Sequence, residues 1–129
     1  MKTEEKEAIP RYGTVHFERR KYPRYNVDLP IEYYRIDSSI GHTGKALNIS
    51  EGGLLLSFPE QMDIGQYIRL KLFLVLGSEL NTIEVLAEVV WMDIHLGESR
   101  RDYRCGIRFI DVSPGDMTKL KSFLRNLSG

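Results

Sequence analysis

The sequence predicts a mainly-β fold: a small six-stranded antiparallel β-barrel closed by one C-terminal α-helix. Two observations carry this reading. Six short runs rich in β-branched and aromatic residues are separated by turn-forming residues. Only the last stretch of the chain has a helical period. A series of short strands with a single terminal helix favours closure into a barrel. The 129 residues suit one domain, and 42% hydrophobic with 28% charged residues is an ordinary globular composition.

Taken in order, residues 1–10 mix glutamate and lysine with little apolar content, which predicts a disordered tail. Residues 11–129 are expected to form a single domain, with a lead-in over 11–25, a barrel over 28–111 and a helix over 114–127. The lead-in carries Tyr12, Val15, Phe17 and Tyr22 among its charges, and Pro23 bars a helix there. Leu29 to Ile36 reads as the first strand, ended by Asp37-Ser38-Ser39. His42 to Ile49 is a weaker strand, interrupted by Gly44. Leu54 to Phe58 is a short buried strand stopped by Pro59. Tyr67 to Val75 alternates, with Ile68, Leu70, Leu72 and Leu74 on one face. Thr82 to Ile94 places Val85, Ala87, Val89 and Trp91 on one face, and Arg104 to Ile110 places Cys105, Ile107 and Phe109 together. In the helix, Ser113 is the cap, Pro114 opens the first turn and Asp116 completes a box-like start. Met117, Leu120, Leu124 and Leu127 then form one apolar stripe.

Composition excludes several function classes. Eighteen basic and eighteen acidic residues cancel, so no broad attraction to DNA, RNA or an acidic membrane surface is expected. The longest apolar run, around Leu70 to Leu76, is broken by Lys71 and is too short to span a bilayer. The polar, acidic start is unlike a signal peptide, and the single cysteine, Cys105, cannot pair within the chain. Both features predict a cytoplasmic protein. His16, His42 and His95 lie far apart in sequence, without ligand spacing to Cys105, so neither metal nor cofactor is expected. No nucleophile elbow, phosphate loop or dinucleotide fingerprint occurs, and the reading is of a non-enzyme.

Two stretches carry chemistry. Arg19-Arg20-Lys21-Tyr22-Pro23-Arg24 is a local basic cluster in a neutral chain. An arginine fork matches a phosphate, or the O6/N7 edge of guanine, better than lysine does. The bland alternative is a solvated basic turn. The second stretch is Asn48-Ile49-Ser50-Glu51-Gly52-Gly53, at the join of two strands. It reads either as a plain turn or as Asn48 and Ser50, two apart, offering hydrogen bonds to one ligand while Gly53 bends the backbone.

Together the two resemble the ligand motifs of the PilZ domain family. Arg20 to Arg24 fits R-x-x-x-R, Asn48 to Gly53 fits [D/N]-x-S-x-x-G, and CGIRFIDVSP near the end resembles that family's last strand and helix start. The likeness runs over about residues 19–127. It implies a PilZ-type barrel that binds cyclic di-GMP through Arg20, Arg24, Asn48, Ser50 and Gly53, with Arg19, Gly52 and Trp91 as further contacts. Asn48 stands where many members carry Asp, and a carboxamide has one acceptor oxygen where a carboxylate has two. Arg19 adds a fork that the family associates with a stacked ligand dimer. Trp91, by its place in an alternating strand, is expected in the core, with base stacking as the other reading.

The resemblance implies a receptor that changes conformation on binding and signals to a separate effector protein controlling motility, exopolysaccharide or attachment. The alternative keeps the fold and drops the ligand, leaving a protein–protein adaptor. A third reading, a barrel binding single-stranded nucleic acid, needs a basic groove with exposed aromatics, and zero net charge argues against it.

Overall fold

The computed structural model describes residues 22–96 and 101–128. The expected tail over 1–10, most of the lead-in, and with it Arg19 and Arg20, lie outside the described residues. The elements are β1 (Tyr25–Arg35), β2 (His42–Ile49), β3 (Gly53–Phe58), β4 (Tyr67–Leu76), β5 (Glu79–Leu96), β6 (Arg101–Val112) and α1 (Pro114–Ser128).

All six strands pair antiparallel, in the closed order β1-β2-β3-β6-β5-β4, with β4 returning to β1. The barrel is thus two three-stranded meanders, β1-β2-β3 and β4-β5-β6, sealed along β3–β6 and β1–β4. Alternation drives the closure. Ile31 and Tyr33, Leu54 and Leu56, Ile68 to Leu74 at every second position, and Ile83 to Val89 likewise all point inward and are buried. Their opposite neighbours face water.

Several expectations shift at the ends of elements. β1 begins at Tyr25, four residues ahead of Leu29, because β2 continues as its partner: Tyr25 pairs with Ile49 and Asn26 with Asn48. β2 has the expected limits in spite of Gly44. There a side chain would press on the Ser57 carbonyl oxygen at 3.0 Å, so glycine suits the close packing of β2 on β3.

The helix cap is half of the expected box. Ser113 Oγ accepts from the Asp116 N–H at 3.2 Å. Asp116, however, turns its carboxylate to the Glu84 N–H of β5, 3.0 Å away, and so fastens the helix to the barrel. Leu120, Phe123 and Leu124 are buried and Met117 packs against the core, whereas Leu127 is 40% exposed. The buried stripe therefore includes Phe123 and leaves Leu127 facing water. Among the described residues, no helix is long and apolar enough to cross a membrane.

Candidate functional site

The stretch from Asn48 to Gly53 leaves β2, turns and enters β3. Ser50 is 8% exposed, and its hydroxyl is held inside the turn. Oγ accepts from the N–H groups of Gly52 (3.1 Å) and Gly53 (3.2 Å) and donates to the Gly53 carbonyl at 3.3 Å. The Ser50 N–H donates to the same carbonyl at 2.8 Å. One donor and two acceptor positions are all that a hydroxyl has. Ser50 therefore shapes the turn with its full capacity, and Asn48 is the side chain left to face outward.

The two glycines are explained by close approach, not by left-handed backbone. Positive φ occurs among the described residues at Gly65 and Gly77. A Cβ on Gly53 would overlap the Ile107 carbonyl oxygen and stand 3.1 Å from its carbon, so glycine lets β3 lie close against β6. A Cβ on Gly52 would stand 3.2 Å from the Tyr22 ring. Tyr22, inside the basic cluster, thus already rests on the turn of the second motif.

Strand pairing then assembles a cleft of about 240 Å³ on the outer face of the barrel. One wall holds Arg24, Asn48, Ser50, Gly52 and Gly53, and the other holds Val90, Trp91, Gly106 and Arg108. Arg24 reaches it because it directly precedes β1, whose first residues pair with the end of β2. The structure thereby brings together Arg24, Asn48, Ser50, Gly52, Gly53 and Trp91 of the expected set. Among the described lining residues, the charged ones are Arg24 and Arg108, both cationic.

Trp91 corrects the expectation of a core residue: it is 45% exposed and forms part of the cleft. The cause is a β-bulge. Val89 pairs with Ile107 but Trp91 pairs with Gly106, so Val90 is an extra residue that reverses the alternation. Beyond it Met92, not Trp91, packs on the core.

Sequence reasoning missed Gly106 and Arg108. A Cβ on Gly106 would fall within the indole of Trp91, 2.7 Å from Cε2. The usable signal was a glycine inside an otherwise apolar strand, which marks a close approach. Arg108 is ion-paired with Glu88 of β5, and each alone had the look of an ordinary outward strand residue.

Behind the turn, a second and smaller cavity of about 170 Å³ separates it from the helix, bordered by Pro23, Tyr25, Glu51, Lys121 and Arg125 among others. Glu51 and Lys121 stand 4.0 Å apart across it. Among the described residues no group of histidine, cysteine and carboxylate side chains could hold a metal ion.

Comparison with known proteins gives a consistent picture. The family model described as PilZ domain matches residues 18–126. Among solved structures, the PilZ domain with c-di-GMP of YcgR from Escherichia coli aligns at TM-score 0.65 and 15% identity, over 86% of this chain and 92% of that one. The inhibitor of motility MotI/DgrA of Bacillus subtilis aligns at 0.68 and 20% identity, over 85% of this chain and 51% of its own. MrkH of K. pneumonia in its apo state aligns at 0.69 and 18% identity, over 88% and 53% respectively. This chain thus spans about half the length of MotI/DgrA and MrkH. No curated protein sequence matches.

Proposed function

Because the chain belongs to the PilZ domain family, we propose that it is a receptor for cyclic di-GMP, without catalytic activity of its own, that signals to a separate effector protein. The observation that carries this reading is the cleft, in which Arg24 and Asn48 from the two motifs line one cavity with Trp91. Its volume of about 240 Å³ is below the roughly 300–1,000 Å³ of sites that enclose a whole small molecule. It suits one part of a ligand, and the rest is left to Arg19 and Arg20 of the basic cluster.

The chemistry of cyclic di-GMP fits these groups. Two guanines offer O6/N7 edges to arginine forks, and two phosphates call for positive charge. Arg20 and Arg24 take those edges and phosphates, and the Asn48 carboxamide takes a guanine N–H. Gly52 and Gly53 keep the floor of the turn open, Ser50 fixes its shape, and the exposed face of Trp91 stacks on a base. Each good bidentate contact to guanine contributes roughly 1–3 kcal/mol, and a few of them reach micromolar affinity, about −8 kcal/mol.

Signalling then follows from order. The like charges of Arg19, Arg20, Lys21 and Arg24 repel one another, and bound ligand bridges them to the barrel. Pro23 lies between the motif arginines and also borders the second cavity beside the helix. A lead-in drawn toward the cleft therefore changes the surface around Glu51 and Lys121 as well. We place the protein in the cytoplasm, in keeping with its acidic start and single cysteine.

Calorimetric titration of cyclic di-GMP into the wild type and into Arg20→Ala and Arg24→Ala tests the proposal. Saturable binding that the substitutions abolish is expected, and its stoichiometry decides whether Arg19 captures a stacked ligand dimer. A folded wild type that takes up no ligand at high micromolar concentration would instead support the adaptor reading, with the arginines serving an interface. Hydrogen exchange across residues 11–24 that does not slow on ligand addition would refute the ordering switch.

A further inference from the structure

We infer that Arg108 is a ligand-binding residue of this cleft, reading the edge of the guanine that stacks on Trp91, and that Glu88 positions it. The inference rests on the receptor reading above. Neither residue belongs to the two motifs, and both stand on the strands opposite them.

Register fixes the arrangement. Gly53 of β3 pairs with Arg108 of β6, and Arg108 pairs in turn with Glu88 of β5. The motif glycine thus has an arginine as its immediate neighbour across the strand pair. The Arg108 side chain is 58% exposed and lines the cleft, while Glu88, at 21%, lies outside its lining. The carboxylate accepts from Nη2 of Arg108 through Oε1. A single such bond holds the side chain in place and leaves other N–H donors of the fork available.

Arg108 also has the right neighbour. Gly106 lies two residues back on the same outward face of β6, about 7 Å along the strand, and it is the residue on which the Trp91 indole rests. The missing side chain at Gly106 lets the flat indole lie against β6, two residues along the strand from the Arg108 guanidinium fork. Those two groups at that spacing suit a purine, with its face on the indole and its O6/N7 edge turned to the fork.

The test is a titration of cyclic di-GMP, and of its analogue with 7-deazaguanine in place of guanine, into the wild type, Arg108→Ala, Arg108→Lys and Glu88→Gln. Arg108 is exposed, so its variants keep the fold, which thermal melting checks. Loss of a bidentate edge contact is expected to weaken cyclic di-GMP binding about 10-fold or more in Arg108→Ala. Arg108→Lys is expected to restore only part of it, because the ammonium is a point charge on a flexible stem without the rigid planar fork. Glu88→Gln is expected to show a smaller loss. The analogue lacks the N7 acceptor, so its penalty is expected to be smaller in Arg108→Ala than in the wild type. Equal affinity of Arg108→Ala and the wild type, or an analogue penalty of the same size in both, overturns the inference. A wild type that binds no ligand removes the receptor reading itself, and the two failures are thereby told apart.

Discussion

The indole of Trp91 occupies the space that a side chain on Gly106 would fill. One residue supplies the aromatic surface of the cleft and the other, by having no side chain, supplies its seat. Gly106→Ala is therefore expected to displace the indole. Trp91 is the only tryptophan in the chain, so the emission spectrum of the protein reports on it alone. The expected outcome is shifted emission in the variant and cyclic di-GMP binding weakened about 10-fold, the scale on which base–aromatic stacking of roughly 1–3 kcal/mol acts. Unchanged emission and affinity would mean that the indole is not held by this contact.

Gly53 has a different constraint, since its neighbour is backbone and cannot swing aside. Gly53→Ala forces β3 away from β6 at the seam between the two meanders. A destabilisation of about 1–3 kcal/mol is expected, as for other overpacked sites. Urea unfolding measures it, and a midpoint equal to that of the wild type would contradict the close approach.

Ser50 and Asn48 are expected to separate stability from binding. Ser50→Ala leaves the Gly52 and Gly53 N–H groups without their acceptor, at a cost of about 1–3 kcal/mol. Affinity falls with it, because the turn loses its shape. Asn48→Ala is expected to leave the unfolding midpoint within about 0.5 kcal/mol, as at other sites away from core features, and to weaken cyclic di-GMP binding. Asn48→Asp is expected to tighten it, since a carboxylate accepts from two guanine N–H groups at once. A Ser50→Ala variant of full stability would show that its three hydrogen bonds are replaceable by water.

The buried Cys105 gives a prediction in pH. Burial pushes its thiol up from 9.0 to about 12. Burial, reinforced by the charge of Glu60, also raises the Tyr33 phenol above its ordinary range. Both groups are charged only when deprotonated, so the folded protein keeps protons that the unfolded chain releases. Their contribution to stability is complete below the ordinary thiol value of 9.0 and is lost as the pH climbs through about 12. The urea midpoint is expected to fall steadily above about pH 9. In the native state near neutral pH the thiol is expected to resist alkylation until the protein unfolds.

Much of this was legible in the sequence because it depends on local pattern. The alternation of Ile68 to Leu74 and the Ser113 cap are written in neighbouring residues, and so are the two motifs. What could not be read depends on how distant strands align. Trp91 fits an inward face by simple alternation, and only the bulge at Val90 sends it outward. Arg108 and Glu88 are twenty residues apart, and nothing in either strand announces that they pair. Phe123 is buried and Leu127 is not, a choice set by how the helix seats on the barrel rather than by its own spacing. For the same reason the sequence suggested freedom of φ at Gly53, when the cause is the backbone of a strand more than fifty residues away.

The return of β4 to β1 has a consequence for how the protein can speak to others. Where the seam is closed, over Ile31–Arg35 of β1 and Ile68–Leu72 of β4, the backbone N–H and C=O groups are already paired, so a partner cannot join there by adding a strand of its own. Recognition must then use side chains, and side chains can be reorganised by a small ligand where a backbone ladder cannot. The same closure guards against sheet-to-sheet aggregation. On the receptor reading, a domain built this way presents a surface of side chains whose arrangement depends on a nucleotide.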